Sequence, residues 1–186
     1  AKMKVSFTRA GAGISSIRFS NIFETVDGKL AWNKYRSDGG EQPPIDDMYL
    51  LSTTHELAYN TDLGVQTAAI SVLGASQIII NNELLHLTSP TVWNVTGTGS
   101  FEATVVDETN NVVAKITRMW TMDNDFGLLL DQKVQNLTTS KLEVEWLQYG
   151  PPSLRVDRSR YMDRRRFRFG WELSDEYDPN QAAPIQ

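Results

Sequence analysis

The chain has 186 residues, 40% hydrophobic and 22% charged, with a formal net charge of -5 and no cysteine. That length gives one good-sized core, and the composition excludes wholesale disorder and fibrous repeats. The mild acidity gives no overall reason to expect nucleic acid, and the absence of thiols excludes disulfides, cysteine nucleophiles and thiolate metal sites. The longest apolar runs, such as Gln77 to Ile80 and Gly127 to Leu130, fall far short of the roughly 20 residues that span a bilayer. The chain opens directly into strand-like sequence with no apolar leader, as an excised or processed piece would.

In chain order, strands are expected at Lys4 to Arg9, Ile14 to Phe19, Val65 to Leu73, Gln77 to Ile80 and Glu83 to Leu87. Ala10-Gly11-Ala12-Gly13 reads as a hairpin turn, because it lacks the lysine and following helix of a phosphate loop. Asn81-Asn82 reads as a tight turn. From Ser20 to Met48 the periodicity fades, and Asp38-Gly39-Gly40 with Pro43-Pro44 marks an irregular insertion, about 20–48. No long amphipathic helix is expected.

The region from Phe101 to Gly150 alternates with period two. Phe101, Ala103 and Val105 share one face, and Asp107 to Asn111 supplies a turn. Val112, Ala114, Ile116, Trp120 and Met122 then face inward while Lys115, Thr117 and Thr121 face water, a half-buried pattern that only Arg118 breaks. Asp123 to Asp125 turns the chain, Phe126 to Asn136 returns it, and Leu142, Val144 and Trp146 alternate with Lys141, Glu143 and Glu145. Four consecutive strands make a meander. Many strands with short turns predict an all-β, mostly antiparallel β-sandwich over 1–186, with a loosely ordered end from about 171.

Chemistry has few footholds. His55 and His86 show no metal-ligand spacing, so no metal or cofactor is expected. Asp46-Asp47, Glu143 with Glu145, and Asp175-Glu176 read as solvated carboxylates. Among the five tryptophans, Trp120 and Trp146 read as core, and Trp32 is the best exposed candidate for a sugar platform. The run Arg155, Arg158, Arg160, Arg164, Arg165, Arg166 and Arg168, against Asp157 and Asp163, carries +5 while the remainder carries -10. Clustered arginine suits anionic lipid headgroups or an acidic partner, and the acidic remainder argues against nucleic acid.

The order of segments resembles the periplasmic domain of bacterial YidC-type membrane protein insertases, of the YidC/Oxa/Alb family. Val5-Ser6-Phe7-Thr8 to Gly13-Ile14-Ser15-Ser16-Ile17 is similar to that domain's first hairpin. Lys115-Ile116-Thr117-Arg118-Met119-Trp120-Thr121-Met122, then Asp125-Phe126, Val134-Gln135-Asn136-Leu137 and Gln148-Tyr149-Gly150-Pro151, is similar in order and spacing to its later strands. Leu57-Ala58-Tyr59-Asn60 stands where the family carries a Gln-Ser-Gly-Leu stretch.

The resemblance implies a supersandwich like the galactose mutarotase-like fold, on the periplasmic side of the inner membrane, with membrane-spanning segments outside this chain. It implies no catalytic residue, only contacts with translocon components, membrane-protein clients or lipids. The rival is a carbohydrate-binding or aldose-epimerase-like protein, in which His55, His86 and a carboxylate would meet in a cleft, with Trp32 as a platform. Fold does not separate the two, whereas the geometry of a site does.

Overall fold

Twelve strands in four antiparallel sheets, with one α-helix, make up the described part of the protein. The structure is a computed structural model that describes residues 2–62 and 64–151. These lie in one compact unit, Ala1–Arg155.

The first sheet has the order β1 (Met3–Thr8), β2 (Gly13–Phe23), β3 (Met48–Thr53). A short 3-10 turn at Ala10–Ala12 closes its first hairpin, and Gly11 there has φ +63°. A Cβ at Gly11 would stand 2.7 Å from the Ala75 carbonyl oxygen, so backbone approach and backbone conformation both demand glycine.

Between β2 and β3 the irregular insertion expected over 20–48 is instead a helix, α1 (Val26–Asp38). Thr25 caps it by accepting from the Gly28 N–H (3.0 Å), and Gly39, at φ +76°, ends it by donating to the Tyr35 carbonyl (3.0 Å). The apolar period is weak because Val26 and Leu30 are exposed and Trp32 is the one large apolar side chain of the helix that is buried. Trp32 is 5% exposed, its indole N–H donates to the Pro44 carbonyl (3.2 Å), and Tyr35 meets it edge-on. The exposed platform expected there is therefore a buried anchor.

The sandwich proper pairs a sheet of order β11 (Leu128–Asn136), β10 (Val112–Met122), β9 (Ser100–Val106), β8 (Asn94–Gly97) with one of order β12 (Val144–Gln148), β6 (Ala75–Ile80), β7 (Glu83–His86). Phe101, Ala103, Ala114, Ile116 and Trp120 from the first share one buried cluster with Ala75, Ile78 and Ile80 from the second. The expected meander thus holds for β9, β10 and β11, but the fourth strand leaves it. β12 crosses over and pairs with β6, Trp146 opposite Ile78.

Hairpin chemistry fixes the registers. Asn81 and Asn82 have φ of 51° and 69°, the two positive values a two-residue hairpin turn requires. At the β9–β10 turn one oxygen of the Asp107 carboxylate accepts from the Thr109 N–H and hydroxyl and from the Asn111 N–H. These bonds, the Thr109 hydroxyl first, hold its carboxyl below the usual aspartate value.

The first sheet joins the sandwich through Ile14, whose N–H and carbonyl exchange bonds with Val72 at 3.0 and 2.9 Å. A separate two-stranded ribbon, β4 (His55–Thr61) and β5 (Gly64–Ile70), leads into Val72. Among the described residues no helix is long and apolar enough to cross a membrane.

Inward and outward faces of the long strands should differ sharply in urea denaturation. Ile116 is fully buried and Leu129 is 54% exposed. Ile116→Ala should lower stability by about 2–5 kcal/mol through the cavity it leaves, whereas Leu129→Ala should stay within about 0.5 kcal/mol. Equal effects would refute the assignment of faces.

Candidate functional site

The sandwich is open along one seam, and the opening follows from unequal strand lengths. β8 pairs with β9 only from Ser100 to Glu102, so Ala103–Val106 has β10 on one flank and no described strand on the other. On the second sheet β7 is the edge strand. Two apolar recesses lie where these edges meet.

The first, about 200 Å³, is walled by Leu85, Leu87, Val92, Ala103, Val105 and Ile116, with His86 at its rim. The second, about 260 Å³, is walled by Ile80, Leu85, Val105, Val113 and Leu142, and its rim carries Asn81, Glu83, Asp107, Thr138 and Ser140. Leu85, Val105 and Val106 belong to both, so the recesses are neighbours divided by one row of side chains. Among the described residues the acids that line them are Glu83 and Asp107, with no lysine or arginine. Apolar walls with a few polar rim groups suit the binding of an apolar group.

A larger recess, about 450 Å³, lies at Arg18, Glu24, Asp46 and Leu50 to Thr53. Its charged groups already hold one another or the backbone. Arg18 Nη2 meets Asp46 at 2.7 Å, Arg18 Nη1 donates to the Met48 carbonyl at 3.1 Å, and a Glu24 oxygen accepts from the Leu50 N–H at 3.1 Å. These bonds fix the bulged pairing of β2 with β3.

The histidines expected in a sugar site stand on different sheets. His55 begins β4, and His86 ends β7 with its Nδ1 3.4 Å from the Gln77 amide nitrogen. Trp32 is buried under α1, so no described contact joins any two of the three. Among the described residues no group of three or more histidines and carboxylates could hold a metal ion. Arg155, Arg158, Arg160, Arg164, Arg165, Arg166 and Arg168 lie outside the described residues, as does the end from about 171. The seam itself had no sequence signal, because it depends on β8 being short and β8 is too polar to read as a strand.

Arg118 does not break the alternation of β10; it occupies an inward position with no exposure at all. Its Nη2 donates to the Leu73 carbonyl (2.7 Å) and to Gln148 Oε1 (3.2 Å). The guanidinium carbon lies 5.6 Å from the Trp120 ring centre and 5.7 Å from that of Trp146. Among the described residues Arg118 Nε and Nη1 find no partner, nor do Trp146 Nε1 and the Oε1 of Gln132, which stands opposite Arg118 on β11. Burial pushes the guanidinium down from its ordinary value to about 10, so it is still charged at neutral pH. None of these polar atoms opens on a described recess, so the group reads as an internal tie.

No protein-family model, curated protein or solved structure matches the chain.

Removing the Arg118 charge should be milder than misplacing it. Loss of the two bonds and relief of charge burial offset each other in Arg118→Met, which should stay within about 1.5 kcal/mol of the parent at neutral pH. Arg118→Lys keeps the charge without the planar stack, and should lose about 2–4 kcal/mol. Because the folded value lies below the unfolded one, the folded protein releases this proton first and stability rises with pH above about 10. Urea midpoints should therefore move in favour of the parent over Arg118→Met between about pH 9 and about pH 11. A constant difference would refute the buried-charge account.

Proposed function

We propose that this chain is the non-catalytic periplasmic domain of a bacterial inner-membrane protein insertase, acting through contacts with proteins or lipids. In this reading the sandwich is a supersandwich like the galactose mutarotase-like fold. The membrane-spanning machinery lies elsewhere in the gene product. Translocon components or newly made membrane proteins are the partners, and the arginine-rich stretch meets anionic lipid headgroups.

The observation that carries the reading is the arrangement of the resembling segments. The Lys115 to Met122 segment falls within central strand β10, paired along its length with β11, which holds Val134 to Asn136. Gln148 ends β12, and the next residue, Tyr149, donates to the Gly74 carbonyl at 2.9 Å. Short motifs far apart in sequence thus serve one shared core. That is what a common fold requires of them.

The full gene product provides the test. It should carry apolar spans of about 20 residues on both sides of this segment, and its depletion should leave newly made inner-membrane proteins outside the bilayer. A secretory leader with no later apolar span, or normal insertion after depletion, would sink the reading. The arginine stretch adds a second check: the protein should sediment with anionic liposomes and be released as salt rises through about 0.15 M, where the screening length is about 8 Å. Equal binding to neutral liposomes would reject a role for its charge.

A further inference from the structure

The open seam has a shape and chemistry that select one kind of occupant. In a strand, alternate residues direct their N–H and C=O groups to opposite flanks. Half of the backbone polar groups of Ala103–Val106 therefore face away from β10, where no described strand meets them. Beside that flank lie the two recesses, divided by Leu85 and Val105. An acyl chain could fill the recesses but would leave the strand edge without hydrogen bonds. A sugar could bond to the edge but would leave the walls of Val92, Ile116, Val113 and Leu142 unfilled. An extended polypeptide does both at once, because its backbone pairs with the edge while alternate side chains, about 6.8 Å apart on one face, enter neighbouring holes.

Charge narrows the choice further. Among the described residues the acids that line the seam are Glu83 and Asp107, with no lysine or arginine, and the turn around Asp107 holds its carboxyl below the usual aspartate value. An apolar segment flanked by basic residues complements that rim, and an acidic one is repelled by it.

We propose that Ala103–Val106 is a strand-addition site that accepts an extended apolar segment of another polypeptide, flanked by basic residues, with two alternate side chains seated in the recesses beside Leu85. The inference rests on the reading of the chain as an interaction module, and it names the partner chemistry of that module.

The probe is a fluorescently labelled synthetic peptide of about eight residues alternating leucine and threonine, with a lysine pair at each end, titrated against the full chain and read by anisotropy. Saturable binding is expected. N-methylation at alternate backbone positions of the peptide should weaken it at least about tenfold, since it removes the donors to the edge. Glutamate in place of the terminal lysines should weaken it severalfold, in a salt-dependent way. Leu85→Trp, which places a bulky ring between the two recesses and narrows them, should also weaken binding about tenfold; its fold is checked by far-UV circular dichroism, and the N-methylated peptide keeps the test independent of that variant.

Undiminished binding of the N-methylated peptide would overturn strand addition. So would competition by an alkyl detergent or an oligosaccharide at equal strength, or a self-association that Leu85→Trp abolishes while the peptide is ignored. Failure of the peptide with insertion still dependent on the gene product defeats this site alone. Binding in a protein whose depletion leaves insertion normal defeats the insertase reading and leaves the site standing.

Discussion

Arg118 holds a positive charge inside the sandwich, and groups from several elements converge on it. A buried guanidinium without a carboxylate is tolerable only if polar groups and ring faces surround it. The groups that do so come from three places: the Leu73 carbonyl before β6, Gln148 on β12, and Trp120 and Trp146 on opposite sheets. All of these are fixed together. Leu73 donates to the Gly150 carbonyl and Tyr149 to the Gly74 carbonyl, so the bonds that complete the guanidinium's surroundings also dock the end of β12. The crossover of β12 to the second sheet brings Gln148 to the charge, from which a β12 paired with β11 would carry it away.

That constraint explains which parts of the fold could be read in the residues. β9, β10 and β11 were legible because their inner faces bury Phe101, Ala103, Ala114, Ile116 and Trp120 against apolar neighbours, which forces strict alternation. Arg118 looked like an interruption because local pattern cannot see Leu73, 45 positions away. β12 looked like the next strand of a meander for the same reason, its partner β6 being separated by long sequence. α1 was missed because a surface helix with one buried anchor has no apolar stripe; Thr25 and Gly39 were its only marks, and caps without a stripe are weak signals.

The same distinction governs the site. Residue chemistry pointed at imidazoles, an exposed indole and an arginine run, each conspicuous by type. The structure buries Trp32 by hydrogen bonding its N–H to Pro44 and separates His55 from His86 onto different sheets. The seam is built instead from Leu85, Val92, Val105 and Ile116, residues that any sandwich core would contain. What makes them a candidate site is a difference in length between β8 and β9, a property of pairing and not of residue type.

Two outer strands of the sandwich, β11 and β12, carry protection that the seam lacks. β11, an outer strand of its sheet, bears Asp131 and Lys133, and β12 bears Glu145; charges on an edge strand discourage a second chain from pairing there. Ala103-Thr104-Val105-Val106 has no charge and no proline, and β-branched residues fill three of its four positions. A strand of that composition on an open flank would invite indiscriminate pairing if nothing limited access. Access is filtered at the mouth of the neighbouring recess, which Glu83 and Asp107 line. Acidic groups at that mouth exclude acidic chains, and the depth of the recesses favours segments with apolar side chains at alternate positions. The seam therefore combines an adhesive edge with two filters, one of charge and one of shape, and selectivity at such a site comes from the filters as much as from the edge.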